Sequence, residues 1–148
     1  MKLEIDRQVI VRAAVFTLTL VVPTYIVIEV VNVVADIHEN SNFWFLAFLA
    51  IFFEMALGGA RAARLKPEAP LSHGAIAALA AYIPLLVVVL AIPIAQGHNE
   101  RLLALIPYLI FALLMFGSSG IFGALVVTSQ RERSRARRRR RPPAHRAR

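Results

Sequence analysis

The segment Asn42–Arg64, NFWFLAFLAIFFEMALGGARAAR, decides the fold. It is an apolar run close to the roughly 20 residues that carry a helix across the hydrocarbon of a bilayer. Phe43, Trp44 and Phe45 suit the aromatic belt at one water–lipid boundary, and Arg61 and Arg64 suit the opposite one. One carboxyl group, Glu54, stands near the middle. A carboxyl at that depth is costly unless it faces other protein or finds a partner, so it constrains whatever packs beside it. Glu54, Gly58 and Arg61 fall at i, i+4 and i+7 and share one face. The small residues Ala56, Gly58, Gly59 and Ala60 let another helix approach closely.

The rest of the chain follows the same pattern. With 58% hydrophobic side chains and a mean hydropathy of +0.63 over 148 residues, it is too apolar to cover a water-soluble surface. Apolar stretches lie at about residues 12–34, 43–62, 74–95 and 102–128, each long enough for a helical span. The expected class is therefore all-α: an integral membrane bundle of four antiparallel transmembrane helices over residues 1–130. A disordered arginine-rich cytoplasmic tail is expected over 131–148, because its only acid is Glu132 and Pro142-Pro143 stops any continuous helix. Glu4 and Asp6 precede the first stretch and no small-residue cleavage pattern follows it, so it reads as a retained span. Basic residues gather before span one, between spans two and three, and after span four. That distribution places both termini in the cytoplasm of a multi-pass inner-membrane protein. The absence of cysteine removes thiolate chemistry and disulfides.

Depth along each span, at about 1.5 Å per residue, sorts the polar side chains into layers. Thr19, Glu54, Tyr82, Ser118 and Ser119 fall slightly inside the midplane and are expected to form one hydrogen-bonded cluster around Glu54. Glu29 and Tyr108 form an outer pair nearer the opposite boundary. Gly58, Gly59, Gly120, Gly123 and Ala124 are expected as close helix contacts, with Gly120-x-x-x-Ala124 one such face. The run Gly117-Ser118-Ser119-Gly120 resembles the glycine-x-serine-glycine motif of rhomboid intramembrane proteases, but every histidine lies in a loop or the tail. A serine without a base is a poor nucleophile, so no catalytic residue and no enzymatic activity are expected. His38 beside Asp36 and Glu39 reads as a solvated loop; no metal and no cofactor are expected. His73 is expected at the surface, where it or Ser72 can cap the third helix.

Arg137, Arg138, Arg139, Arg140 and Arg141 suit anionic lipid headgroups. The tail lacks the folded module and aromatic interleaving that recognise nucleic acid, which makes a tail-bound nucleic acid or acidic protein the lesser reading. The four spans, the Gly-Gly and arginine exit of span two, the sequence Pro70-Leu71-Ser72-His73-Gly74-Ala75 and the arginine-rich end resemble small actinobacterial four-span membrane proteins of uncharacterised function. That resemblance implies the fold and supplies no site residue. Two functional expectations stand. One is a non-enzymatic accessory or assembly subunit that lives in the lipid bilayer and meets a membrane-protein partner or its own copies through helix contacts. The other is a small oligomeric proton- or cation-linked transporter that uses Glu54.

Overall fold

The computed structural model describes residues 5–38, 42–95, 97 and 100–140. They form four helices: α1 (Arg7–Ala35), α2 (Asn42–Leu65), α3 (Pro70–Ala95) and α4 (Glu100–Arg140). Short connections make successive helices antiparallel, and each helix is long and apolar enough to cross a membrane. α2 and α3 pack on each other and on both remaining helices, whereas α1 and α4 occupy opposite corners with no close backbone approach among the described residues. The start of α1, the α2–α3 turn and the close of α4 share one end of the bundle, the basic end, which holds Arg7, Arg64, Lys66 and the arginines from Arg131 onward.

The helix limits have local causes. The Asp6 carboxylate accepts from the backbone N–H groups of Gln8 and Val9, so α1 begins at Arg7, five residues ahead of the apolar stretch. It ends at Asp36, whose left-handed conformation (φ 47°) returns its N–H to the carbonyl of Asn32. Proline opens α3 at Pro70, where its missing N–H costs nothing. Pro23 and Pro107 are both accommodated inside helices.

The tail expectation needs correction over residues 131–140. α4 does not end at the bilayer boundary but continues to Arg140 as one helix of 41 residues. Arginine, alanine, glutamine and glutamate are good helix formers, and extending a helix already nucleated in the membrane costs far less than starting one. Residues 141–148, including Arg141, lie outside the described residues.

The core is small-residue rich at the basic end and bulkier toward the other. Val21, Met55, Ala78, Ala81, Tyr82 and Phe116 form the main buried cluster, with Phe48 stacked near Phe111 and Phe116. Valine, isoleucine and leucine cover much of the remaining surface, including Val11, Val15, Ile26, Val30 and Leu114. An apolar exterior of this kind is matched by lipid rather than water.

Candidate functional site

The face of α2 that carries Glu54, Gly58 and Arg61 is the one that receives α1. The Thr24 hydroxyl donates to Glu54 Oε1 at 2.5 Å, Thr17 sits directly over Gly58, and the Arg61 guanidinium lies 4.5 Å from the centre of the Phe16 ring. The contacts run antiparallel along both helices, from the middle of the membrane to its basic boundary. Glu54 Oε2 is buried without a hydrogen-bond partner among the described residues.

The polar layer expected around Glu54 does not assemble. Thr19 and Ser118 are exposed toward lipid, and their hydroxyls donate to Phe16 O at 2.7 Å and Met115 O at 2.8 Å. Ser119 is fully buried but donates to Phe116 O at 2.8 Å. Each hydroxyl therefore finds its acceptor one turn back on its own helix, which removes the drive to reach across the bundle. Tyr82 is buried against Phe116, with ring centres 5.1 Å apart, and lines a separate cavity. Thr24, absent from the expected cluster, is the partner that Glu54 uses.

Replacing Thr24 by valine tests that contact. The variant is expected to lose about 1 kcal/mol, near the upper part of the range measured for hydrogen bonds between membrane helices. Unfolding in mixed detergent micelles, followed by the fluorescence of the single tryptophan, Trp44, reads the change.

The cavity occupies the half of the bundle away from the basic end. Val22, Tyr25 and Ile26 of α1, Ile51 of α2, Tyr82, Leu85, Val88 and Val89 of α3, and Tyr108 and Phe116 of α4 enclose about 240 Å³. All three tyrosines of the chain contribute to it. Of the expected outer pair, Tyr108 lines this cavity together with Tyr25, and Glu29 is not part of the lining. Glu29 lies one turn beyond Tyr25 on α1, whose backbone makes no close approach to that of α4 among the described residues.

Toward the basic end the bundle closes on glycine. A Cβ placed on Gly59 would overlap the Gly120 carbonyl, one on Gly120 would overlap the Gly74 carbonyl, and one on Gly123 would overlap the Ala56 carbonyl. Three backbones, from α2, α3 and α4, thus meet at Gly120. Ala124 is fully buried beside Gly74 and Ala63.

His73 departs from its expected surface position. It is fully buried, its Nδ1 lies 2.9 Å from Ala69 O, and its Nε2 accepts from the Asp6 backbone N–H at 3.1 Å. A carbonyl on one side and an N–H on the other require the neutral tautomer with its proton on Nδ1. The residue ties the start of α3 to the cap of α1. No signal in the sequence distinguished this histidine from a solvated helix start.

A second concave region lies at the basic end. Arg64 and Pro67 form one wall, and Val127, Gln130, Arg131, Ser134 and Arg135 of α4 form the other, around a cleft of about 610 Å³. Arg131 Nη2 donates to Arg64 O at 3.2 Å. Beyond it Arg137 is exposed, and Arg138, Arg139 and Arg140 continue the helix. Among the described residues no three His, Asp or Glu side chains group as metal ligands. Comparison with protein-family models, with curated proteins and with solved structures finds no match for this chain.

Proposed function

We propose that the chain is a non-enzymatic multi-pass protein of the bacterial inner membrane, with both termini cytoplasmic, serving as an accessory or assembly subunit. The observation that carries this reading is α4, which leaves the bundle as an unbroken helix and projects Arg131, Arg133, Arg135 and Arg137 beyond its basic end. From Arg131 to Arg140 the projection adds about 15 Å of basic helix. Such a rod suits anionic headgroups at the cytoplasmic surface, worth about 1 kcal/mol per arginine near that surface, or an acidic face on a partner. The hydroxyls of Thr17, Thr19, Ser118, Ser119 and Thr128 are committed to backbone carbonyls, which supports a structural bundle over a nucleophilic one.

The transporter reading rests on Glu54. Glu54 follows Ile51, a wall of the tyrosine cavity, by one turn of α2, and a buried carboxyl oxygen without a donor among the described residues is a natural stop for a proton or cation. Reconstituted into liposomes, the chain is expected to pass no protons or monovalent cations above protein-free vesicles, and Glu54→Gln is expected to behave the same. Native gels of solubilised membranes are expected to show it in an assembly larger than one chain. Flux that depends on pH and vanishes with Glu54→Gln would overturn the accessory reading in favour of transport.

A further inference from the structure

We propose that the cleft between the α2–α3 turn and the extension of α4 is a binding site for a phosphomonoester dianion. It deepens the reading of the basic helix above by naming the ligand chemistry at one defined place on it.

The cleft is built rather than diffuse. Val127, Gln130, Arg131, Ser134 and Arg135 recur at i, i+3, i+4, i+7 and i+8, so a single stripe of α4 supplies one wall. Val127 is buried at its floor with Ala63 and Ala124, marking where the apolar bundle ends. Arg64 and Pro67 close the other side. Three arginines line the space and no acidic residue does; neither Glu68 nor Glu132 contributes to the lining.

Two features prepare these groups for an anion. The carbonyls at the end of α2 would ordinarily repel one, being the negative pole of the helix. Here the Lys66 N–H donates to Ala62 O at 3.0 Å and Arg131 to Arg64 O at 3.2 Å, so part of that pole is already neutralised. The same bond holds the Arg131 guanidinium in place, which lowers the ordering cost on binding. The Ser134 hydroxyl donates to Gln130 O at 2.9 Å, leaving the guanidiniums and the Gln130 amide as the donors available to a ligand.

The planar fork of arginine matches the oxygens of phosphate, and three positive charges without an acid balance a doubly charged ester better than a singly charged diester. The volume exceeds that of a phosphate and accommodates the group esterified to it. Two sources carry this chemistry: a lipid headgroup ending in a phosphomonoester, at the boundary depth the floor defines, and a soluble phosphate ester.

The test uses the full chain purified in a neutral detergent, with short-chain phosphatidic acid, phosphatidylglycerol and glycerol 3-phosphate as probes and native mass spectrometry as the readout. Phosphatidic acid is expected to bind about tenfold more tightly than phosphatidylglycerol, and Arg135→Gln to weaken it about tenfold, the loss of one charge-assisted contact. Arg131→Gln is expected to do the same, but it also frees Arg64 O, so Arg135→Gln decides. Arg7→Gln removes an equal charge at the same end and is expected to leave binding unchanged. Competition by glycerol 3-phosphate at the lipid's own concentration assigns the site to a soluble ester; its failure to compete assigns it to the headgroup. Equal binding of the two lipids, with Arg7→Gln costing as much as Arg135→Gln, overturns the site and leaves only diffuse attraction. Ion flux through Glu54 would defeat the accessory reading without touching this result.

Discussion

Leucine in place of Gly123 is expected to prevent the bundle from forming. The first atom of any side chain there would overlap the Ala56 carbonyl, with the Ala60 nitrogen 3.0 Å away. Those are backbone atoms inside α2, which cannot rotate aside as a side chain does, so the α2–α4 contact must open along its length. Opening it also separates Gly59 from Gly120, the node where α3 joins. Even alanine is expected to cost about 3 kcal/mol, the upper part of the range for overpacking. Gly117 provides the internal comparison, because a Cβ there meets nothing nearer than a Leu79 methyl at 3.6 Å. Gly117→Ala is therefore expected to fold with an unchanged midpoint in denaturing detergent, and Gly123→Ala with a clearly lowered one. Equal midpoints for the two would refute the close α2–α4 approach.

The four spans and the glycine faces were legible because both rest on one-dimensional properties, apolar length and the spacing of small residues. The partner of Glu54 was not, for a reason of direction. Side chains on a helix tilt toward its N-terminus, so α1 and α2, running oppositely, lean toward each other's level. By backbone depth Thr24 stands about 3 Å to one side of the midplane and Glu54 about 3 Å to the other. Thr24 leans toward the basic end and Glu54 away from it, and the gap closes to a hydrogen bond. Thr19 and Ser118 look better placed by backbone height alone, yet both face lipid and satisfy themselves locally. Height along a span predicts a contact only when the azimuth of each helix is also known, and that is fixed by packing.

The helical extension of α4 was concealed by composition. An arginine-rich segment with one acid reads as disordered when taken alone, and it becomes helical as the continuation of a span that has already met the cost of nucleation. The cleft at Arg64 and Arg131 was hidden for the same reason, since its two walls are 67 residues apart in the chain and meet only when α4 keeps its helical course past the bilayer.

His73→Ala is expected to lower stability by about 3 kcal/mol, through an emptied buried site and an Asp6 N–H left without its acceptor. The two ring nitrogens have separable duties, and amide side chains divide them. Glutamine reaches roughly as far as Nε2, so His73→Gln can offer its oxygen to the Asp6 N–H and keep α1 tied to α3. Asparagine reaches only as far as Nδ1, so His73→Asn can donate to Ala69 O but leaves the Asp6 N–H unpaired. Ala69 O already receives the His73 backbone N–H at 3.3 Å, which makes the Nδ1 bond the more dispensable of the two. The expected order of loss in detergent unfolding is alanine, then asparagine, then glutamine. Amide hydrogen exchange at Asp6 should accelerate in the first two variants and stay slow in the third. An asparagine variant as stable as the glutamine one, with Asp6 still protected, would show that the α1 cap holds without the imidazole, and that His73 is buried there for its volume alone.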